Sequence, residues 1–352
     1  MMKALRYELR FLTPAFLGDA EQSGRWRTPP FKAQLRQWWR VAYAADRNFR
    51  VDVEQMRREE GVLFGNAWLE DEFSKSLVRL RLDRWGEGGL KKASWPADIP
   101  VTHPEVKNRD GRAVPVGSAL YQGFGPLVYD SQRRTTTLKA TAAIQADESA
   151  TLSLASPEEH AVRIERALWL MDQYGTLGGR SRNGWGSYRL SPAGNTPALT
   201  GAPPLRSWRE CLQLDWPHAI GQDDRGSLIW QTSPHDDWKS VMKALAVVKI
   251  GLRTQFRFPN ERPDGRIHER HWLSYPVTKH QVNDWNWSGL RLPNTLRFKA
   301  RPTTDGKLVG VIFHVPHLPP PAFKPDRKVI EDVWARVHAK LDATPGLARS
   351  KE

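Results

Sequence analysis

The chain has 352 residues, with 53 Lys+Arg against 39 Asp+Glu, a formal charge of +14 and a pI near 10.0. Such a surplus draws polyanions, nucleic acid ahead of an acidic membrane surface. A single cysteine, Cys211, excludes an intramolecular disulfide and a cysteine-based zinc cluster. No stretch approaches the roughly 20 apolar residues of a membrane span, so a cytoplasmic protein with no membrane partner is expected.

At roughly 150 residues per domain, the length predicts two domains. Residues Leu5, Tyr7, Leu9 and Phe11 alternate with Arg6, Glu8 and Arg10, the period of a half-buried strand. In "TPPFKAQLRQWWRVAYA", proline at a first-turn position opens a helix that buries Phe31, Leu35, Trp38, Trp39 and Ala42 on one face. Lys32, Arg36 and Arg40 climb its other side at i+4 steps, where like charges repel unless an anion lies among them or water solvates them. The helix start, near Thr28 to Phe31, adds a partial positive charge and free N–H groups for a phosphate.

"LVRLRL" from Leu77 reads as another strand, and residues 83–135 as an insertion of little periodicity. One or two strands follow between residues 137 and 154. Ser156, Pro157 and Glu159 then spell a capping box for a second helix with an apolar stripe of Ala161, Ile164, Leu168 and Met171, ended by Gly175. Next comes "GTLGGRSRNGWGSYRL", five glycines around Arg180, Arg182 and Trp185. Glycine lets backbone amides approach a ligand, and the two arginines supply countercharge, the makings of a phosphate cradle. Trp185 either stacks on an unpaired base or pins the loop to its own domain.

The order strand, helix, strands, helix, strand predicts an α+β architecture of two ferredoxin-like (RRM-like, βαββαβ) domains in tandem. The first spans 1–190, with both helices on one face of the sheet and the other face free to bind. A Pro/Gly-rich linker covers 191–210, and the second domain 211–352. In this second unit a helix is expected in "DDWKSVMKALAVV", a strand in "IGLRTQFRF", a hairpin around Asp305-Gly306 and a last helix in "DRKVIEDVWARVHAKLD".

"FLTPAFLGDAEQSGRWRTPPFKAQLRQWWRVAYA", then "VLFGNA", then "GGRSRNGWGSYRL" resemble the RAMP superfamily of CRISPR effector proteins, in particular those of the type III-B Cmr complex. "RIHERHWLSYPVT" and the hairpin after it extend the likeness into the second half. The resemblance implies a non-catalytic subunit without cofactor or metal, at the end of the complex that holds the 3′ portion of the guide (CRISPR) RNA and the paired target RNA, beside other RAMP subunits. Carried over by motif, the RNA contacts are Arg25, Arg27, Lys32, Arg36 and Arg40, with Gly178, Gly179, Arg180, Arg182 and Trp185. Grip on phosphates, with base reading left to Watson–Crick pairing, suits a protein that must accept any guide sequence.

Two other readings stand beside it: a metal-independent repeat-processing endoribonuclease of the same superfamily, and a single-strand RNA-binding module unrelated to CRISPR. "HERH" falls short of the HExxH zinc spacing, and "HVPH" lies on or after a strand, so structural histidines are expected. Asp19, just after the first strand, is the one carboxylate worth testing for catalysis.

Overall fold

A computed structural model describes residues 1–67, 73–259, 264–286 and 289–350. The protein is a mixed α+β fold built from several small sheets, two of them four-stranded. In the first half, β1 (Met2–Phe11), α1 (Pro29–Ala45), α2 (Val53–Phe64), β2 (Arg79–Leu82), α3 (Ser118–Gly123), β3 (Ser149–Pro157), α4 (Ala161–Tyr174) and β4 (Tyr188–Pro192) follow one another. Their sheet runs β4-β1-β3-β2, every neighbour antiparallel. Leu5, Tyr7, Leu9 and Phe11 are buried with α1 and α4, the period-2 pattern at work. Arg6, Glu8, Arg10, Arg79, Arg81 and Arg189 stay exposed, most of them standing on the sheet's other face.

The second half repeats this rhythm with β5 (Ile229–Thr232), α5 (Trp238–Thr254), β6 (Leu296–Pro302), β7 (Leu308–His314), α6 (Arg327–Asp342) and β8 (Leu347–Arg349), in the sheet order β6-β7-β5-β8. In each half the fourth strand pairs with the first, the first with the third and the third with the second. Asp237 and Asp326 cap α5 and α6, accepting from the amides of Ser240 and Val329.

Three local expectations are corrected. The capping box at Ser156 does not form: β3 runs through Pro157, because Lys3 pairs with Ser156 and Met2 with Pro157, and α4 starts only at Ala161. Sheet pairing outweighs one cap. The strand expected in "IGLRTQFRF" is instead the last turn of α5, which runs to Thr254 and buries Leu245, Val248 and Leu252 on a single helical stripe. The segment 83–135 is ordered rather than featureless, with a hairpin of Pro100–Lys107 and Ala113–Gly117, the helix α3, and strand Leu127–Asp130 paired with Thr135–Leu138.

The two halves are pressed together. Val309, Val311 and Phe313 of β7 belong to the apolar cluster of the first half, with Phe313 5.1 Å from Tyr174, ring to ring. On β6, Arg297, Lys299 and Arg301 alternate with Phe298 and Ala300, and that cationic side faces the first half instead of water. Lys299, fully buried, donates from Nζ to the carbonyls of Met171, Asp172 and Gly175 at 3.3, 2.6 and 2.7 Å, capping the negative end of α4. Burial pulls its pKa down to about 7, and the Asp172 carboxylate works the other way. Arg301 donates to the amide oxygen of Gln173 at 2.7 Å.

Candidate nucleic-acid interface

The glycine-arginine loop joins α4 to β4 at the seam between the halves. Gly178, at φ +91°, has no room for a side chain: a Cβ there would lie 2.6 Å from the Phe16 carbonyl oxygen. Gly186, at φ +65°, would meet the Leu177 carbonyl at 1.9 Å. The amides of Gly179, Gly184 and Gly186 donate to the carbonyls of Phe16, Ser181 and Pro14. These glycines serve close packing, and the amides of Gly179, Gly184 and Gly186 are already taken by the protein's own carbonyls. Phe298 of β6 donates to the Arg182 carbonyl at 3.0 Å, and Ala300 to the Ser187 hydroxyl at 2.8 Å, so the second half fixes the loop as firmly as the first.

Arg180 and Arg182 project from this clamped loop. Both are exposed, and neither has a carboxylate partner among the described residues. Arg180 sits at φ +56°, a left-handed conformation that costs a non-glycine residue on the order of 1–2 kcal/mol, and its Nε donates to the Phe124 carbonyl at 2.6 Å. The ring of Phe124 is 63% exposed beside it. Trp185 is the opposite case. It is fully buried among Phe16, Trp95 and Trp238, with ring centroids 5.2 to 5.9 Å away, so it offers no face to a base and pins the loop.

The first helix contributes less free charge than its sequence promises. Arg36 and Arg40 both reach the fully buried carboxylate of Glu60 on α2, at 2.5 and 2.7 Å from their Nε atoms. An anion does lie within the cationic stripe, and it is the protein's own Glu60. Lys32 has no such partner among the described residues, and burial followed by repulsion from Arg36 lowers its pKa. Pro29 and Pro30 lack N–H groups, while the amides of Phe31 and Lys32 both donate to the Thr28 carbonyl, so the helix start offers its dipole without the row of free amides expected there. Arg25 is exposed and pairs with Asp19 at 3.3 Å. Arg27 is half-buried, its Nε without a partner.

What does touch the loop is the side of α1 that carries Gln34 and Gln37. Oriented to satisfy both neighbours, the Gln34 amide donates to the Thr176 carbonyl at 2.5 Å and Gln37 accepts from Arg297 at 2.8 Å. Arg297 lies over Trp38 and, buried and close to Arg182, has its pKa pulled down to about 9. The seam also gathers cations that sequence reasoning missed. Lys249 and Arg253 of α5 and Arg291 act electrostatically on one another or on Arg180. Read as a helix, "AVVKIGLRT" would have placed Lys249 and Arg253 on one face at i and i+4.

Potential acid-base groups are mostly occupied structurally. Asp19 accepts from the Ser23 amide at 2.8 Å and holds its turn. His314 lies between the Thr295 hydroxyl at 3.0 Å and His338 at 2.9 Å, deep in the second core. His271 bonds to the His268 amide and the His280 carbonyl. His268 is less enclosed and meets Asp264 at 2.9 Å. No cluster of three or more His, Cys, Asp or Glu suited to a metal occurs among the described residues, and no helix there is long and apolar enough to cross a membrane.

Fold and seam together define a basic α+β protein of two like-ordered halves, with arginines presented where they meet. The sequence pattern of the RAMP superfamily matches residues 8–189, just over half of the chain, and the chain belongs to that superfamily. Among solved structures it is similar to apo Cmr1 from Pyrococcus furiosus, at 14% identity over 99% of this chain and 98% of that one, with a TM-score of 0.47. A chain of the type III-B Cmr-beta complex bound to cognate target RNA is 12% identical over 95% and 99%, with a TM-score of 0.46. One from a type IV-B CRISPR complex is 13% identical over 58% and 96%, with a TM-score of 0.30. No curated protein sequence matches the chain.

Proposed function

We propose that this RAMP protein is a non-catalytic RNA-binding subunit of a type III-B CRISPR (Cmr) effector in the cytoplasm, both halves being ferredoxin-like, and that it grips guide RNA near its 3′ portion, the paired target RNA, or both. The observation that carries the reading is the pair Arg180 and Arg182: exposed, without carboxylate partners among the described residues, and held on a loop fixed from both sides. Arg180, tied by its Nε to the Phe124 carbonyl on a locally strained backbone, keeps its two terminal nitrogens for phosphate. The net charge of +14 supplies the long-range attraction. Lys32, Arg25 and Arg27 extend the surface, whereas Arg36 and Arg40 contribute through the field left over after Glu60.

Fluorescence anisotropy with guide-like RNAs of different spacer sequence tests this. Replacing Arg180 and Arg182 by Ala should weaken every RNA alike and flatten the log-log salt slope by about 0.7 for each phosphate of a single strand that the variant no longer holds. An unchanged slope, or weaker binding of one sequence only, contradicts backbone gripping. The endoribonuclease reading retains one specific observation, the partly exposed His268 beside Asp264. Site-specific products from repeat RNA in chelator, abolished by His268→Ala, would favour it over the binding role.

A further inference from the structure

Lys249 is the cation in the molecule whose surroundings least explain it. It sits half-buried on α5, with its Nζ 5.4 Å from the ring centre of Tyr121 on α3, and no hydrogen-bond acceptor reaches it among the described residues. The charges that act on it are Arg253, one turn further along α5, and Arg180 across the seam; both are positive. Burial and this repulsion push its pKa well below the usual lysine value. Arg253 spends one nitrogen on the Ser274 hydroxyl at 3.1 Å, and the nearby carboxylate of Glu105 is taken by both oxygens to Arg270, at 2.7 and 2.9 Å. Arg291 adds a fourth positive group against Arg180.

The lining behind these cations is polar and unsatisfied. The Tyr121 hydroxyl has no partner among the described residues. A buried polar group left this way destabilises the fold, and an unpaired buried cation does so more. Lys249 is such a cation, flanked by Arg253 and Arg180, which keep donors beyond the Ser274 hydroxyl and the Phe124 carbonyl, and an anion entering among them relieves the repulsion. The donors are a lysine, two arginines and a phenol. That donor set suits the tetrahedral oxygens of a phosphate.

We infer that Lys249, Arg253 and Arg180 form a seat for one phosphate of the bound RNA, backed by Tyr121, so that the second half of the chain holds the strand together with the glycine-arginine loop. The inference rests on the RNA-binding function proposed above. The shared chemistry is a phosphate, and its sources, an RNA backbone or a free phosphate, are separated by experiment.

Lys249→Met keeps the apolar stem and removes the charge, and Lys249→Arg restores it. With the full chain and a single-stranded RNA, Lys249→Met should weaken binding for every sequence and reduce the magnitude of the salt slope by about 0.7, while Lys249→Arg keeps the wild-type slope. Thermal unfolding without RNA, with and without inorganic phosphate, forms the second arm. Equal salt slopes for wild type and Lys249→Met, with wild type binding RNA steeply, overturn the seat and leave the RNA-binding reading standing. If wild type does not bind RNA yet phosphate raises its Tm and not that of Lys249→Met, the seat belongs to a free phosphate and the RNA assignment is overturned. No phosphate effect and no RNA binding refute seat and function together.

Discussion

Lowering the pH from 7 to 5 should destabilise this protein steeply, because its interior holds histidines that resist protonation. Burial pushes His218, His271 and His317 down to about 4 and His338 to about 3, and holds His314 well below the usual histidine value. In the unfolded chain each titrates near 6.5. As pH falls below about 6.5 the unfolded state takes up protons that the folded state refuses, so their contribution is full above that value and drains away toward the folded pKa. Between pH 7 and 5 each of the five lowers stability by about 2 kcal/mol, roughly 10 together, set against a total of about 5–15 kcal/mol for a typical fold. Asp223 and Asp342, lowered below the usual carboxylate value by Arg349 despite their burial, titrate beneath this window and do not mask it. Urea unfolding followed by tryptophan fluorescence at constant ionic strength reads the slope directly. His338 touches His314 at 2.9 Å and packs against Trp230 and Trp334, so His338→Phe shifts the absolute stability; the diagnostic is that the pH slope falls by about a fifth. A stability that stays level from pH 7 to 5, or a slope indifferent to His338→Phe, refutes the reasoning.

Lys299→Met should cost about 3 kcal/mol, because three carbonyls at the end of α4 lose a charged donor and the removed burial penalty returns only part of it; urea unfolding measures the loss. Glu60→Gln should destabilise by about 3 kcal/mol through the two arginines left unpaired, yet leave RNA affinity equal or higher, the reverse of Arg180→Ala; unfolding and anisotropy on the same preparation distinguish the two.

Much of the first half was legible because its signals are local and agree with one another. The alternation from Leu5 to Phe11, the paired prolines before Phe31 and the apolar stripe through Trp38 and Trp39 each name an element, and each element forms. Where local and long-range preferences compete, the sequence misleads. Ser156 offers a cap, and pairing with Lys3 claims it for a strand; Arg297, Lys299 and Arg301 have the look of a solvent-facing strand edge, and the other half of the chain covers them. The site shows the same division. That arginines are presented by a glycine loop could be read residue by residue. That the amides of Gly179, Gly184 and Gly186 are taken, that Trp185 is interior, that Glu60 pairs with Arg36 and Arg40 and that α5 brings Lys249 to Arg180 depend on packing set by the whole fold.

The interlocked apolar clusters bear on how the protein can be handled and how it can change. With β7 completing the interior of the opposite half and Lys299 plugged into the end of α4, a break between residues 191 and 210 exposes two unfinished surfaces rather than two modules. Fragments made there should clump or melt, and exchange of one half with that of a distant relative should succeed only when the matching side chains along the seam travel with it.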